Sequence, residues 1–142
     1  MTSTSLPWED AAAVGSRVTT WRDPIADLQC QLINLANAIN RMHYETASRL
    51  ASMVRRLMAA AEGHVSGLPA DVERAIAAAR LSALSCTAER VLLVAPRARP
   101  DAREPSQVTA SIERCWIRQR VRNGPLLLAY DRGTLVCGTA QA

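Results

Sequence analysis

The sequence contains no lysine and no phenylalanine, and it has only two histidines, His43 and His64. All 17 basic residues are therefore arginine. Together with the abundance of alanine, this bias is typical of a high-GC source rather than of selection for guanidinium chemistry. A histidine acts as a general base only beside a positioned partner, and His43 and Glu45 lie too close in sequence to share one helical face. We therefore predict no catalytic residues and a protein that is not an enzyme.

Glycine and cysteine are also sparse and scattered. The six glycines form no phosphate-binding loop. The four cysteines include no Cys-x-x-Cys pair and have no histidine at the spacing of a metal ligand. We accordingly predict no metal site and no cofactor. The cysteines are Cys30, Cys86, Cys115 and Cys137.

Long apolar runs are absent as well. The apolar run 91–95 falls far below the roughly 18 to 20 uncharged residues that a membrane span needs. The first 25 residues contain Glu9 and Asp10 and lack the apolar segment of a signal peptide. We therefore expect a cytoplasmic protein with reduced cysteines and without a membrane partner.

A chain of 142 residues that is 49% hydrophobic is long enough to bury one core. Residues 1–23 show no sustained periodicity and are predicted to form a flexible tail. Residues 24–142 are predicted to form a single domain of mainly α, α+β class. Within it we expect a helical hairpin over 24–95, a Pro/Arg-rich loop over 96–105, and a basic helix plus a β-hairpin over 106–142.

The stretch between Pro24 and Gly63 contains no further proline or glycine, and its apolar residues recur with a period of 3.6. This pattern predicts one amphipathic helix over about 24–62. A second, shorter helix over about 69–86 would cover only half of it. We therefore expect leftover apolar surface that forms a homo-oligomer or binds a protein partner. The predicted interface residues are Leu28, Leu32, Leu35, Ile39, Met42 and Leu50.

The C-terminal third has a different pattern. Two continuous apolar runs, 91–95 and 126–130, are typical of buried strands, and the helix predicted between them at about 106–122 would complete a βαβ unit. Asp131, Arg132 and Gly133 predict a tight hairpin turn. In the alternative interpretation, residues 87–95 extend the second helix, because a five-residue apolar run fits either structure.

Positive charge concentrates in residues 97–122, whose balance equals the +4 of the whole chain. Arg114, Arg118 and Arg122 follow one another at i,i+4 spacing and predict an anion-binding row. Arg132, at the tip of the predicted hairpin, is a further candidate for binding nucleic acid or another anion. The order of Arg-bearing helix and hairpin resembles the recognition helix and wing of winged-helix DNA-binding proteins. The segment PRARPDAREP, however, stands where those proteins have a preceding helix.

Two functions follow from these patterns. The first is a non-enzymatic interaction or assembly module that oligomerises or binds a partner through its long amphipathic helix. The alternative, which the winged-helix resemblance implies, is a nucleic-acid-binding regulator that uses the Arg-rich segment 97–122.

Overall fold

A computed structural model describes residues 23–97 and 105–139 of the chain, without the side chains of 105–109 and 139. The fold is mainly helical with a small antiparallel sheet at its C-terminal end, which confirms the predicted class. The predicted tail over 1–22 and most of the predicted loop over 96–105 lie outside the described residues. The elements are α1 (Pro24–Asn40), α2 (Tyr44–Ser66), α3 (Val72–Val94), α4 (Pro105–Asn123), β1 (Leu126–Asp131) and β2 (Thr134–Thr139).

The prediction of one continuous helix over 24–62 is wrong, because the chain reverses after Asn40. Met42 has a φ of 60°, and the backbone N–H of His43 donates to the carbonyl of Ala38 at 3.0 Å. This is the Schellman arrangement that ends many helices, and glycine usually occupies the left-handed position. A methionine in this conformation carries a steric cost. Because the left-handed position is not a glycine and no proline follows it, the sequence contains no residue that marks the turn.

Helices α1, α2 and α3 form an up-down-up bundle. α1 packs against α2 and α3, and Ile25 at the start of α1 borders the same pocket as His64 near the end of α2. Asp23 and Asp71 cap α1 and α3, and their side chains accept one and two backbone N–H groups of the first turn, respectively. The bundle therefore replaces the predicted two-helix hairpin.

The prediction of a strand at 91–95 is wrong, and the alternative of a longer second helix is confirmed. Thr87, Ala88 and Val91 lie on the buried side of α3 at helical spacing. The apolar run is thus the last part of a helical stripe rather than a strand. In the part of the chain that the structure describes, no strand precedes α4, so the predicted βαβ unit is wrong.

The apolar stripe of α1 lies inside the bundle. Met42 and Leu50 are partly buried and pack against the same core. The turn at Met42 folds α2 back over the stripe, so the chain itself covers the apolar positions assigned to a partner. The remaining predicted interface residues, Leu28, Leu32, Leu35 and Ile39, all have 0% exposure.

The predicted β-hairpin is confirmed. Its strands pair from Leu126 with Thr139 to Asp131 with Thr134, and Arg132 and Gly133 form a two-residue turn with φ values of 54° and 79°. The strands lie between α1 and α3, which contact β1 and β2 respectively. The hairpin thereby covers the groove between two helices of the bundle.

Candidate partner-binding face of helix α4

Helix α4 has a buried side and an exposed side, and Trp116 is the centre of the buried one. Its indole is 4% exposed, and its Nε1–H donates to the carbonyl of Val94 at 2.7 Å. The ring meets the ring of Tyr44 edge to face, with centroids 5.9 Å apart. Trp116 therefore fastens α4 to the end of the bundle where α2 begins and α3 ends.

Arg120 lies one turn further along the same side and is buried, with 5% exposure. Its guanidinium donates to the carbonyls of Ile39 (3.4 Å) and Gly124 and to Asn40 Oδ1 (3.1 Å). Ile39 belongs to the last turn of α1 and Gly124 follows α4, so the cation sits at the negative ends of two helix dipoles. Among the described residues no carboxylate pairs with it. Burial lowers the pKa of Arg120 below its usual value.

Asn40 links this cation to the hairpin. Its Oδ1 also accepts the backbone N–H of Leu126 at 2.7 Å, while its Nδ2 donates to the carbonyl of Leu126 at 2.9 Å. The carboxamide thus pairs with Leu126 as a strand residue would. Because Asn40 also accepts from Arg120, one polar cluster joins α1, α4 and β1.

The opposite side of α4 is exposed, and it carries the predicted arginine row. Arg114, Arg118 and Arg122 are all exposed. Ile117 and Val121 lie on the same side with 37% and 72% of their surface exposed. The side chains described for α4 place no carboxylate there. The exposed face therefore combines positive charge with apolar surface.

Glu113, the acidic residue among the described side chains of α4, lies on the other side and faces Tyr44. Burial, assisted by the negative charge of Glu113, raises the pKa of the Tyr44 hydroxyl. The carboxylate is therefore directed away from the arginine row, and it leaves the charge of the exposed face uncompensated.

The structure does not bring Arg132 to the row. Arg132 lies at the hairpin tip, and the neighbouring Gly133 lines a pocket with Gln29 and Arg80. The strand β1 that separates the tip from the end of α4 is about 17 Å long. The hairpin also packs between α1 and α3 rather than beside the exposed face of α4. This arrangement differs from the recognition helix and wing that the winged-helix resemblance implies.

The remaining sequence predictions concern a metal site, a membrane span and the state of the cysteines. No group of three or more His, Cys, Asp or Glu could hold a metal ion among residues 23–97 and 105–139. Within the same ranges, no helix has the length and apolar content of a membrane span. All four cysteines are free thiols. No protein-family model, curated protein or solved structure matches the chain.

Sequence reasoning missed Arg120 and Asn40 as an anchoring pair. A signal for Arg120 was present, because it follows Trp116 by four residues and so shares its helical side. Asn40 offered no comparable signal, since its role depends on a turn that the sequence does not mark and on a strand that begins at Leu126.

Proposed function

We propose that the chain is a non-enzymatic interaction module that binds an acidic, amphipathic helix of a partner protein on the exposed face of α4. The observation that supports this proposal is the placement of exposed Ile117 and Val121 among the arginines of the row. Arginine is enriched at protein interfaces, and exposed apolar patches often mark them.

The chemistry of the face favours a protein partner over a phosphate backbone. Each guanidinium can hold a carboxylate through two parallel hydrogen bonds. Contact with phosphates would not bury the apolar surface of Ile117 and Val121, whereas a helix with apolar residues between its carboxylates would bury both side chains. A second copy of the same face is a poor partner, because like charges would meet.

A nucleic-acid-binding regulator is the second candidate. The observation that favours it is the exposed arginine row, which carries no described carboxylate and could neutralise successive phosphates. The hairpin position gives this candidate less support, since Arg132 lies at the far end of β1 from the row. The two candidates differ in what they require of Ile117 and Val121.

Fluorescence anisotropy with three labelled probes separates them. The probes are a helical peptide with glutamates and leucines on one face, the same peptide with serine for leucine, and duplex DNA. We expect the leucine peptide to bind about tenfold more tightly than the serine peptide, because it buries additional apolar surface. Combining Ile117→Ser with Val121→Ser should remove that difference.

Charge is tested separately. Replacing Arg114, Arg118 and Arg122 by glutamine should weaken the binding of both peptides and reduce its salt dependence. Its matched control replaces three exposed arginines of α2 by glutamine, which removes the same net charge elsewhere. Preferred binding of DNA with a steep salt dependence would support the second candidate. Failure of all three probes would contradict both. The control arginines are Arg49, Arg55 and Arg56.

A further inference from the structure

The register of the hairpin determines which backbone groups face its two edges. In a hairpin closed by a two-residue turn, the residues that flank the turn form a hydrogen-bonded pair, and pairing then alternates along the strands. Every second residue therefore directs its N–H and C=O away from the other strand. The outward-facing residues are Leu126, Leu128 and Tyr130 on β1, and Leu135, Cys137 and Thr139 on β2.

Helix side chains satisfy two outward carbonyls of β2. Thr87 Oγ1 donates to the carbonyl of Leu135 at 2.6 Å, and Arg90 Nη1 donates to that of Cys137 at 3.3 Å. Both donors belong to α3, which runs along this edge. The edge of β2 is therefore closed to a further strand.

The edge of β1 is only partly satisfied. Asn40 accepts the N–H and donates to the carbonyl of Leu126. No described residue bonds to the edge-facing backbone groups of Leu128 and Tyr130. These two positions are about 7 Å apart, which is the two-residue repeat of a strand. They offer unpaired donors and acceptors along one line.

A groove of about 410 Å³ runs beside these positions, between β1 and α1. Ile33, Ala36 and Asn37 of α1 line it, together with residues of the hairpin. None of the lining side chains carries a charge. An occupant that matches the groove is therefore an extended backbone with uncharged side chains toward α1.

We propose that the β1 edge binds an extended, uncharged segment of a partner protein, which adds a third strand beside Leu128 and Tyr130. Main-chain hydrogen bonds would provide affinity, and the apolar floor at Ile33 and Ala36 would select the side chains. The Asn40 carboxamide stops the added strand at Leu126. This site is separate from the exposed face of α4, because it lies between β1 and α1 and uses no charged side chain.

Amide hydrogen exchange of the whole chain, followed by NMR, tests the proposal. The probe is a capped peptide of alternating valine and threonine, about seven residues long. At saturation we expect exchange at the Leu128 and Tyr130 amides to slow about tenfold, while Leu126, already bonded to Asn40, stays unchanged. Tyr130→Pro removes one donor at the edge and should reduce the slowing at Leu128, whereas Tyr130→Thr should preserve it.

Three results would overturn the proposal. The first is unchanged exchange at Leu128 and Tyr130 in the presence of the peptide. The second is equal binding by a peptide with lysine in place of valine, because the uncharged groove would then select nothing. The third is protection without any peptide. In that case, dependence on protein concentration would assign the edge to a second copy, and independence would assign it to the chain's own residues.

Discussion

Arg118 and Arg120 are two positions apart on the same helix and have opposite surroundings. Arg118 is exposed, and its guanidinium contacts the thiol of Cys115 at 3.8 Å. Arg120 is buried and donates to two backbone carbonyls and to Asn40. A rotation of about 200° along the helix separates a cation that is free to meet a partner from one that holds the fold together.

This difference shows that arginine content alone does not describe the charge of a surface. The guanidinium of Arg120 is already hydrogen-bonded at the C-terminal ends of α1 and α4, so it cannot bind a partner at the exposed face. The row gains its accessibility because Trp116 and Arg120 fix the opposite side of the helix. We therefore expect substitutions on the buried side of α4 to change stability and substitutions on its exposed side to change binding.

The largest expected effect comes from removing the aromatic anchor of the buried side. Trp116→Ala should lower the free energy of unfolding by about 4 kcal/mol, because it deletes a buried ring and leaves a cavity. Trp116→Phe keeps the contact with Tyr44 but loses the hydrogen bond to Val94, so it should cost less. Urea unfolding measures both. A Trp116→Ala variant as stable as the wild type would show that α4 is not anchored there.

The same substitution at the two arginines tests the comparison directly. Arg120→Met should lower the free energy of unfolding by about 3 kcal/mol, since it leaves the carbonyl of Gly124 without its donor and removes the guanidinium from the carbonyl of Ile39. Arg118→Met should change it by less than about 0.5 kcal/mol, because its side chain is exposed. Equal effects in urea unfolding would contradict the assignment of opposite roles.

The smallest expected effect concerns one exposed and one buried cysteine. Cys115 is exposed, whereas Cys137 is 8% exposed, and burial raises the pKa of its thiol above the usual value, although Arg90 opposes the shift. Alkylation of the folded protein should therefore be slower at Cys137, as mass spectrometry can show. Because the unfolded thiol releases its proton first as the pH rises, this residue should reduce stability above about pH 9. Cys137→Val should weaken that pH dependence, and an unchanged profile would contradict it.

The sequence predicted elements that local chemistry defines. The turn at Arg132 and Gly133 and the helix at about 106–122 agree with the structure, since both depend on neighbouring residues. The break at Met42 was not predictable, because its left-handed conformation is imposed by the packing of α1 on α2 and not by a permissive residue. The strand expected at 91–95 failed for a related reason, since a short apolar run fits the buried side of a helix equally well.

Prediction of the candidate site was similarly divided. The exposure of Arg114, Arg118 and Arg122 followed from their i,i+4 spacing opposite the apolar side of α4. The distance between Arg132 and the row could not be predicted, because it depends on where the hairpin packs. The assignment of Leu28 and its neighbours to an interface overlooked the amount of stripe that a folded-back α2 could cover.

The bond between Asn40 and Leu126 has a consequence for the order in which the chain assembles. It joins residues 86 positions apart, whereas the turn at Met42 brings α1 and α2 together locally. Contacts between residues far apart in sequence have a larger entropic cost of loop closure and tend to form late. During synthesis the three helices of the bundle also emerge before the strands. The bundle must therefore hold its shape while the groove between α1 and α3 still faces water, until the hairpin arrives to cover it.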